Sequence, residues 1–379
     1  MTTLELLQEL VRINSVNPML EANAPGETQL AEFVRDWCDS RHLETQWIEP
    51  VKGRPSVIAI ARGHGGGRSL MLNAHLDTVG VTGMIDPFTP RIEHGFLFGR
   101  GACDMKASLA VCLKTLERAR DLQLSGDVIL TAVSDEEHGS IGTESVLEVC
   151  TADAAILTEP TGLELCVAHR GFAVFEIEIT GKVSHSSQPE LGINAINGLG
   201  WVLTEIEILN QKLEQREVHP LLGQGHAQAT LVTGGSALFT SPASAKVSLE
   251  RRTLPGETRD VIETEVRNML ERIRNEHPQF EATWKISLHR EPFSLELQTP
   301  VVQTASRAMQ SHKLEPKFVG APYWMDSALI AAKGIPTVIL GPTAHDLHGE
   351  NERIDLAEIQ TLERVLLSIV RDFCTSGAA

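Results

Sequence analysis

Side chains suited to holding divalent metals recur along this chain: His75 and Asp77 two residues apart, then Asp104, the adjacent Glu136 and Glu137, Glu159 and His348. Imidazole nitrogen and carboxylate oxygen are donors that zinc-class ions accept readily. The spacing adds meaning. Asp77 lies close enough in sequence to reach back and orient the His75 imidazole, as carboxylates do behind metal-bound histidines. Asp104 could span two ions through its two oxygens. Glu136 and Glu137, neighbours on a loop, need not point the same way, so one can bind metal while the other serves as a base. A hydroxide held between two ions roughly 3.5–4 Å apart would be a strong nucleophile, with the same ions polarising a carbonyl. Taken singly, each residue is ordinary: a strand-end histidine, an acidic turn, a Glu-Pro turn, a polar loop in HDLHGENE. Their convergence would be costly without a cation.

That convergence depends on the elements that carry them. The apolar run at 69–72 in SLMLNAHLDTVG reads as a buried strand ending at His75 and Asp77. DVILTAV ends in Asp135-Glu136-Glu137, and AAILTEP ends in Glu159. Buried strands with charged carboxyl ends predict an open α/β sheet with its ligand site beyond those ends. Helical spacing appears at Leu4, Leu7, Leu10 and Val11, and helices are expected over 27–40, 107–119, 299–311 and 356–373. IPTVILG reads as a further buried strand. Between these lies a different order: strand FAVFEIEIT, a helix in GINAINGLGWVLTEIEILN, strands ATLVTGG and KVSLERRTL, a helix in TRDVIETEVRNMLERIRNE, and strand ATWKISLHR. This β-α-β-β-α-β order is the split βαβ pattern of a ferredoxin-like sandwich. The expectation is a discontinuous catalytic domain, 1–177 and 292–379, with an inserted domain over 178–291.

Composition narrows the classes. A chain of 379 residues with 42% hydrophobic content can bury a sizeable core and favours two domains. A formal charge of −17 argues against nucleic acid and anionic membrane as partners. GHGGG at 63–67 lacks the GK[ST] ending of a phosphate loop and reads as a turn. The cysteines at 38, 103, 112, 150, 166 and 374 form no CxxC pair, and the opening MTTLELLQEL lacks a basic region and a continuous apolar stretch. Reduced thiols and a cytoplasmic location follow as expectations.

In order along the chain, AHLDTVG, GRGACDMK, SDEEHGSIG, LTEPTG, GKVSHSSQPELGINAI, ERRTLPGE and HGENE resemble the M20 family of metallopeptidases and deacylases. That family includes acetylornithine deacetylase, succinyl-diaminopimelate desuccinylase, aminoacylase and carboxypeptidases. The resemblance implies two divalent ions, zinc with cobalt as the alternative. His75 and Glu159 would hold one ion, Glu137 and His348 the other, and Asp104 would bridge them. Asp77 would orient His75, and Glu136 would be the general base acting on a water between the metals. His185 would reach the active site of a neighbouring subunit in a homodimer, from a lid. Arg252 would hold a substrate carboxylate, although Glu250 stands where relatives commonly have Asp. Asp326 matches a family acid and is given no role.

The function implied is hydrolysis of the amide bond of a small N-acyl amino acid. A dipeptidase or carboxypeptidase would share every ligand. A non-catalytic, zinc-stabilised binding protein would be expected to lack the base. A redox cysteine enzyme centred on Cys103 lacks a partner thiol at useful spacing.

Overall fold

The computed structural model describes residues 1–375, and these divide into two compact units. Of these, the larger comprises 1–167, 295–319 and 325–375, and the smaller 168–294 and 320–324.

In chain order, the first part holds α1 (Thr3–Arg12), α2 (Thr28–Asp39), β1 (Glu44–Ile48), β2 (Ser56–Ala61), β3 (Leu70–His75), β4 (Arg91–Glu93), β5 (Phe96–Phe98), α3 (Ala107–Asp121), β6 (Val128–Val133), α4 (Ile141–Val146), β7 (Ala154–Leu157) and β8 (Leu165–His169). The chain passes from one unit to the other within β8. Next come β9 (Gly171–Thr180), α5 (Ala195–Glu214), β10 (His226–Gly234), β11 (Ser244–Thr253), α6 (Arg259–Glu276), β12 (Glu281–Arg290) and β13 (Phe293–Ser294). The remainder supplies α7 (Pro300–Ser311), β14 (Phe318–Ala321), α8 (Ser327–Ala332), β15 (Thr337–Ile339), β16 (Arg353–Asp355) and α9 (Leu356–Thr375).

The larger unit is built on a sheet ordered β1-β2-β6-β3-β7-β15-β8. Its centre, β6-β3-β7-β15, is parallel. Every residue of β3, β6, β7 and β15 is buried, as expected for strands covered on both faces. Their apolar runs lack the alternation of a half-exposed strand for that reason. Parallel alignment brings the carboxyl ends of β3, β6 and β7 to one edge, each continuing into a loop with acids or histidine. In α1, Leu6 joins Leu7, Leu10 and Val11 in the core, while Leu4 is only half-buried.

In the smaller unit the sheet order is β10-β11-β9-β12, all antiparallel. Helices α5 and α6 cover one face through Val202, Ile206, Val266 and Met269, packed on Phe175, Ile177, Val247 and Leu249. The alternate residues of β9 face water, where Glu176 pairs with Lys285 and Glu178 with Lys246. The strand Gly171–Thr180 belongs whole to this unit, so a boundary at 178 would cut through a continuous strand. Among the described residues no helix is long and apolar enough to cross a membrane.

Candidate metal centre

His75 ends β3, and its ring is buried. Nδ1 lies 2.9 Å from the main-chain oxygen of Asp77, so the neutral ring carries its proton on Nδ1 and keeps the Nε2 lone pair free for a metal. The expected orienting contact therefore comes from Asp77, but chiefly through its carbonyl; the carboxylate is 3.6 Å away. That carboxylate has other partners. It accepts the main-chain N–H groups of Glu136 at 3.0 Å and Glu137 at 3.1 Å, and the Asn17 amide at 2.8 Å. Asp77 thus fixes the loop after β6 that presents both glutamates.

Asp104 lies in the turn just before α3. Its Oδ1 is 3.0 Å from Nε2 of His75, and its Oδ2 is 3.1 Å from Nε2 of His348. One carboxylate therefore faces two imidazoles, an oxygen to each. Glu159, just beyond β7, brings Oε1 to 3.6 Å from His75 Nε2, and Glu137 brings Oε2 to 3.4 Å from His348 Nε2. Two triads result, His75–Asp104–Glu159 and Asp104–Glu137–His348, each with its candidate ligand atoms within 4.8 Å of one another.

Divalent ions fit these residues. Glu137 Oε1 and Glu159 Oε1 are buried without a hydrogen-bond partner, a costly state that a bound cation would relieve. The donors are the nitrogen and oxygen atoms that zinc-class ions prefer. The electrostatics agree. Burial would lower the His75 pKa, but Glu159, Asp104 and Asp77 together raise it well above its ordinary value. Hydrogen bonds to Asp104 and Glu137 carry His348 up to about 10. Burial pushes the Glu159 carboxyl well above the usual range, and raises Glu137 with help from Asp104. Asp104 moves down: burial opposes ionisation, but hydrogen bonds from His348 and His75 outweigh it. In Glu136, withdrawal from water and then the charges of Glu159 and Asp326 push the carboxyl well up. A carboxyl with a raised pKa beside ligand residues suits a proton carrier.

Behind the triads lies a buried network in which Asn17, Glu27 and Arg54 carried no sequence signal. Arg54 gives two hydrogen bonds to Glu27, each 2.7 Å, and one of 2.6 Å to Asp135. Asn17 joins Asp135 to Asp77. Asp135 itself has φ of 67°, and its main-chain oxygen accepts N–H groups from Gly139 and Ser140, closing the turn after Glu137. Asp326, immediately before α8, is buried and accepts the Thr143 hydroxyl at 2.5 Å; burial carries its carboxyl up to about 6 despite that bond. Cys103 is buried, and its thiol pKa is pushed far up by burial and by Glu352 and Asp104, which opposes a thiolate nucleophile.

His185 and Arg252 belong to the smaller unit. His185 is exposed, and its Nδ1 accepts the Ser187 main-chain N–H at 3.2 Å, so a neutral ring carries its proton on Nε2. Arg252 lies on β11, paired with Glu250 at 2.6 Å and 5.1 Å from the Phe172 ring centre. Its neighbour Arg251 is buried and bound to Glu257 and Glu265. Arg251 shares strand parity with Val247 and Leu249 on the helix-covered face; Arg252 has the opposite parity and a partly open guanidinium.

The description Peptidase family M20/M25/M40 matches residues 71–372, which include both triads. This chain belongs to that family. Among curated relatives, acetylornithine deacetylase from Proteus mirabilis is 26% identical, covering 100% of this chain and 98% of the relative. N-formyl-4-amino-5-aminomethyl-2-methylpyrimidine deformylase from Halalkalibacterium halodurans is 25% identical, over 98% and 94%. Aminopeptidase PepT from Bacillus cereus shares the fold with a TM-score of 0.82 at 20% identity, over 98% of each chain. A dinuclear metal-binding M20 peptidase from Bacillus subtilis does so with a TM-score of 0.77 at 17% identity, over 99% and 98%. Family membership and the paired triads make this a metal-dependent hydrolase with a dinuclear ligand cluster.

Proposed function

We propose that this chain hydrolyses the amide bond of a small N-acyl amino acid. The observation that carries the reading is Asp104 facing His75 with one oxygen and His348 with the other, with Glu136 next to the ligand candidate Glu137. His75, Glu159 and Asp104 would hold one ion, and Asp104, Glu137 and His348 a second; zinc is the first choice and cobalt the alternative. When bound, such ions polarise a carbonyl and acidify water.

The remaining work falls to this chain's own groups. Glu136 takes a proton from the attacking water. The water oxygen forms the new bond to the acyl carbon as the C–N bond breaks, and Glu136 returns the proton to the departing nitrogen. The products are a free amine and a carboxylic acid, which loses its remaining proton to water as the carboxylate. Nε2–H of His185 donates to the developing oxyanion. Arg252 holds the substrate carboxylate through its planar fork. We read the smaller unit, with its βαββαβ order, as a ferredoxin-like lid and dimerisation domain. In this reading His185 serves the site of the partner subunit, and the homodimer works in the cytoplasm.

A deacylase is favoured over a dipeptidase or carboxypeptidase because the two full-length relatives above are named for removing acetyl and formyl groups. The peptidase reading stays as the second one, since peptidases share the fold and its neighbours use it. The test is a panel of N-acetyl, N-succinyl and N-formyl amino acids beside dipeptides, with zinc or cobalt supplied. Turnover of an acyl amino acid supports the deacylase. Turnover of dipeptides alone moves the assignment to the peptidase, and two bound ions without turnover of any member would leave a zinc-stabilised binding protein.

A further inference from the structure

The two triads are supported differently. His75, Glu159 and Glu137 sit at or just beyond the ends of buried strands. His348 does not: it lies in a loop with φ of 59°, its side chain is half exposed, and its imidazole faces Asp104 and Glu137. Asp104 too stands in a turn rather than on a strand. The second triad is thus made largely of two loops, 99–104 and 345–352.

One ion pair joins those loops. Arg100 and Glu352 are both buried, with Nη1 and Oε2 at 2.6 Å. Glu352 spends its whole carboxylate on the Asp104 loop. Oε2 also accepts the Gly101 N–H at 3.0 Å, and Oε1 accepts the N–H groups of Cys103 at 2.9 Å and Asp104 at 3.2 Å. Its main-chain oxygen takes the Gly99 N–H at 3.2 Å. Arg100 completes the link: Nη2 reaches the main-chain oxygen of His348 at 3.4 Å, and Nε reaches that of Gly80 at 3.0 Å. A single guanidinium therefore touches the carboxylate that holds Asp104 and the backbone that carries His348.

We infer that Arg100 and Glu352 are positioning residues that set the affinity of the second metal position, the one formed by Asp104, Glu137 and His348. Neither offers a ligand atom to it. Their effect runs through the spacing of two loops, whereas the His75–Asp104–Glu159 position keeps two of its three ligands on strand ends. The inference rests on the two-metal reading above.

The experiment titrates chelator-treated, folded protein with Co²⁺ and with Zn²⁺, following heat and, for cobalt, visible absorption. Wild type should bind in two steps, and the step lost in His348→Ala identifies the second position. In Arg100→Lys the cation stays but the fork to His348 is lost. In Glu352→Gln the carboxamide can no longer accept from Gly101 and Arg100 through its nitrogen. Both variants should weaken the second step about 10–100-fold, the range for groups behind metal ligands, with the first step moving much less. Arg251→Met, which breaks two ion pairs of a buried guanidinium in the smaller unit, should leave both steps as in wild type. An unchanged second step in both variants overturns the inference. So does equal weakening of both steps, or weakening of the second step in Arg251→Met. Failure of wild type to take up two ions would instead sink the two-metal reading itself.

Discussion

Replacing Arg54 by Met should destabilise the larger unit far more than loss of a surface ion pair would. The guanidinium is 8% exposed, and its partners Glu27 and Asp135 are 0% and 3% exposed. Removing it deletes three short hydrogen bonds and leaves two buried carboxylates, with Asp77 close by through Asn17. Breaking a buried pair from one side costs about 3–5 kcal/mol, against about 0–1 kcal/mol for an exposed pair. The sign with pH follows from Glu27. Burial already raises its pKa, while the hydrogen bonds from Arg54 pull it down and the Asp77 charge adds to the rise. Without Arg54 the folded-state pKa climbs further. A carboxyl raised on folding contributes no penalty below its unfolded value; the penalty builds as pH rises from the unfolded towards the folded value and is complete above it. The Arg54→Met loss should be smaller at pH 5 than at pH 8. Urea unfolding at both values, followed by hydrogen exchange in α2 and β2, measures it. Glu27→Gln placed on top should recover part of the loss by removing one stranded charge. A loss below about 1 kcal/mol at pH 8, or one that does not vary with pH, would show that Arg54 does not hold Glu27 and Asp135 in a buried charge cluster.

Glu136→Gln should keep both metals while kcat falls at least 10²–10⁴-fold, the usual share of general acid–base catalysis; near-normal kcat at full metal content would remove Glu136 from that role. Arg252→Ala should abolish the preference for a free-carboxylate substrate over its neutral amide, read as kcat/KM for the two; an unchanged preference would leave Arg252 as the partner of Glu250 alone. A mixed dimer of His185→Ala with Glu136→Gln should recover towards half of wild-type activity, and verified mixing without recovery would exclude donation across subunits. In chelator-treated protein, His348 has its pKa raised from 6.5 to about 10 by Asp104 and Glu137. Its stabilising contribution is therefore full below pH 6.5 and lost as pH rises through 10. The stability gap between wild type and His348→Gln should shrink across that window, and a constant gap would show that His348 is not paired as described.

The centre of the larger unit was legible because its strands are buried on both faces. Continuous apolar runs ending in charge locate β3, β6 and β7, and parallel pairing then brings His75, the Asp135–Glu137 loop and Glu159 to one edge. His348 follows no such rule, and only its motif marked it. That Arg251 is buried and Arg252 partly open was implicit in strand alternation. The reach of Asp77 was only half legible, because spacing alone does not say whether carbonyl or carboxylate meets the ring. Glu27 and Arg54 were invisible, and Asp135 was visible only as a strand-end acid, not as their partner. Each looks like a solvated charge in its own segment, and only the packing of α2, the turn before β2 and the loop after β6 puts them within hydrogen-bond reach.

The sheet order carries a consequence for synthesis. β15 lies between β7 and β8, yet Leu157 and Thr337 are 180 residues apart in the chain. At about 5–20 residues per second, the outer edge of β7 waits roughly 10–40 s for the strand that will cover it. Through that interval the growing chain carries a buried-type strand, AAIL, with unpaired N–H and C=O groups on one side. Such an edge is a template for pairing with any passing strand. His75, Asp104 and Glu159 have all been made by then, and His348 has not. The nascent chain therefore holds all three residues of one triad while its sheet is still open, but not yet Glu352, which fixes the Asp104 loop. Its most aggregation-prone stage ends only when β15 slots between two strands that were made before it.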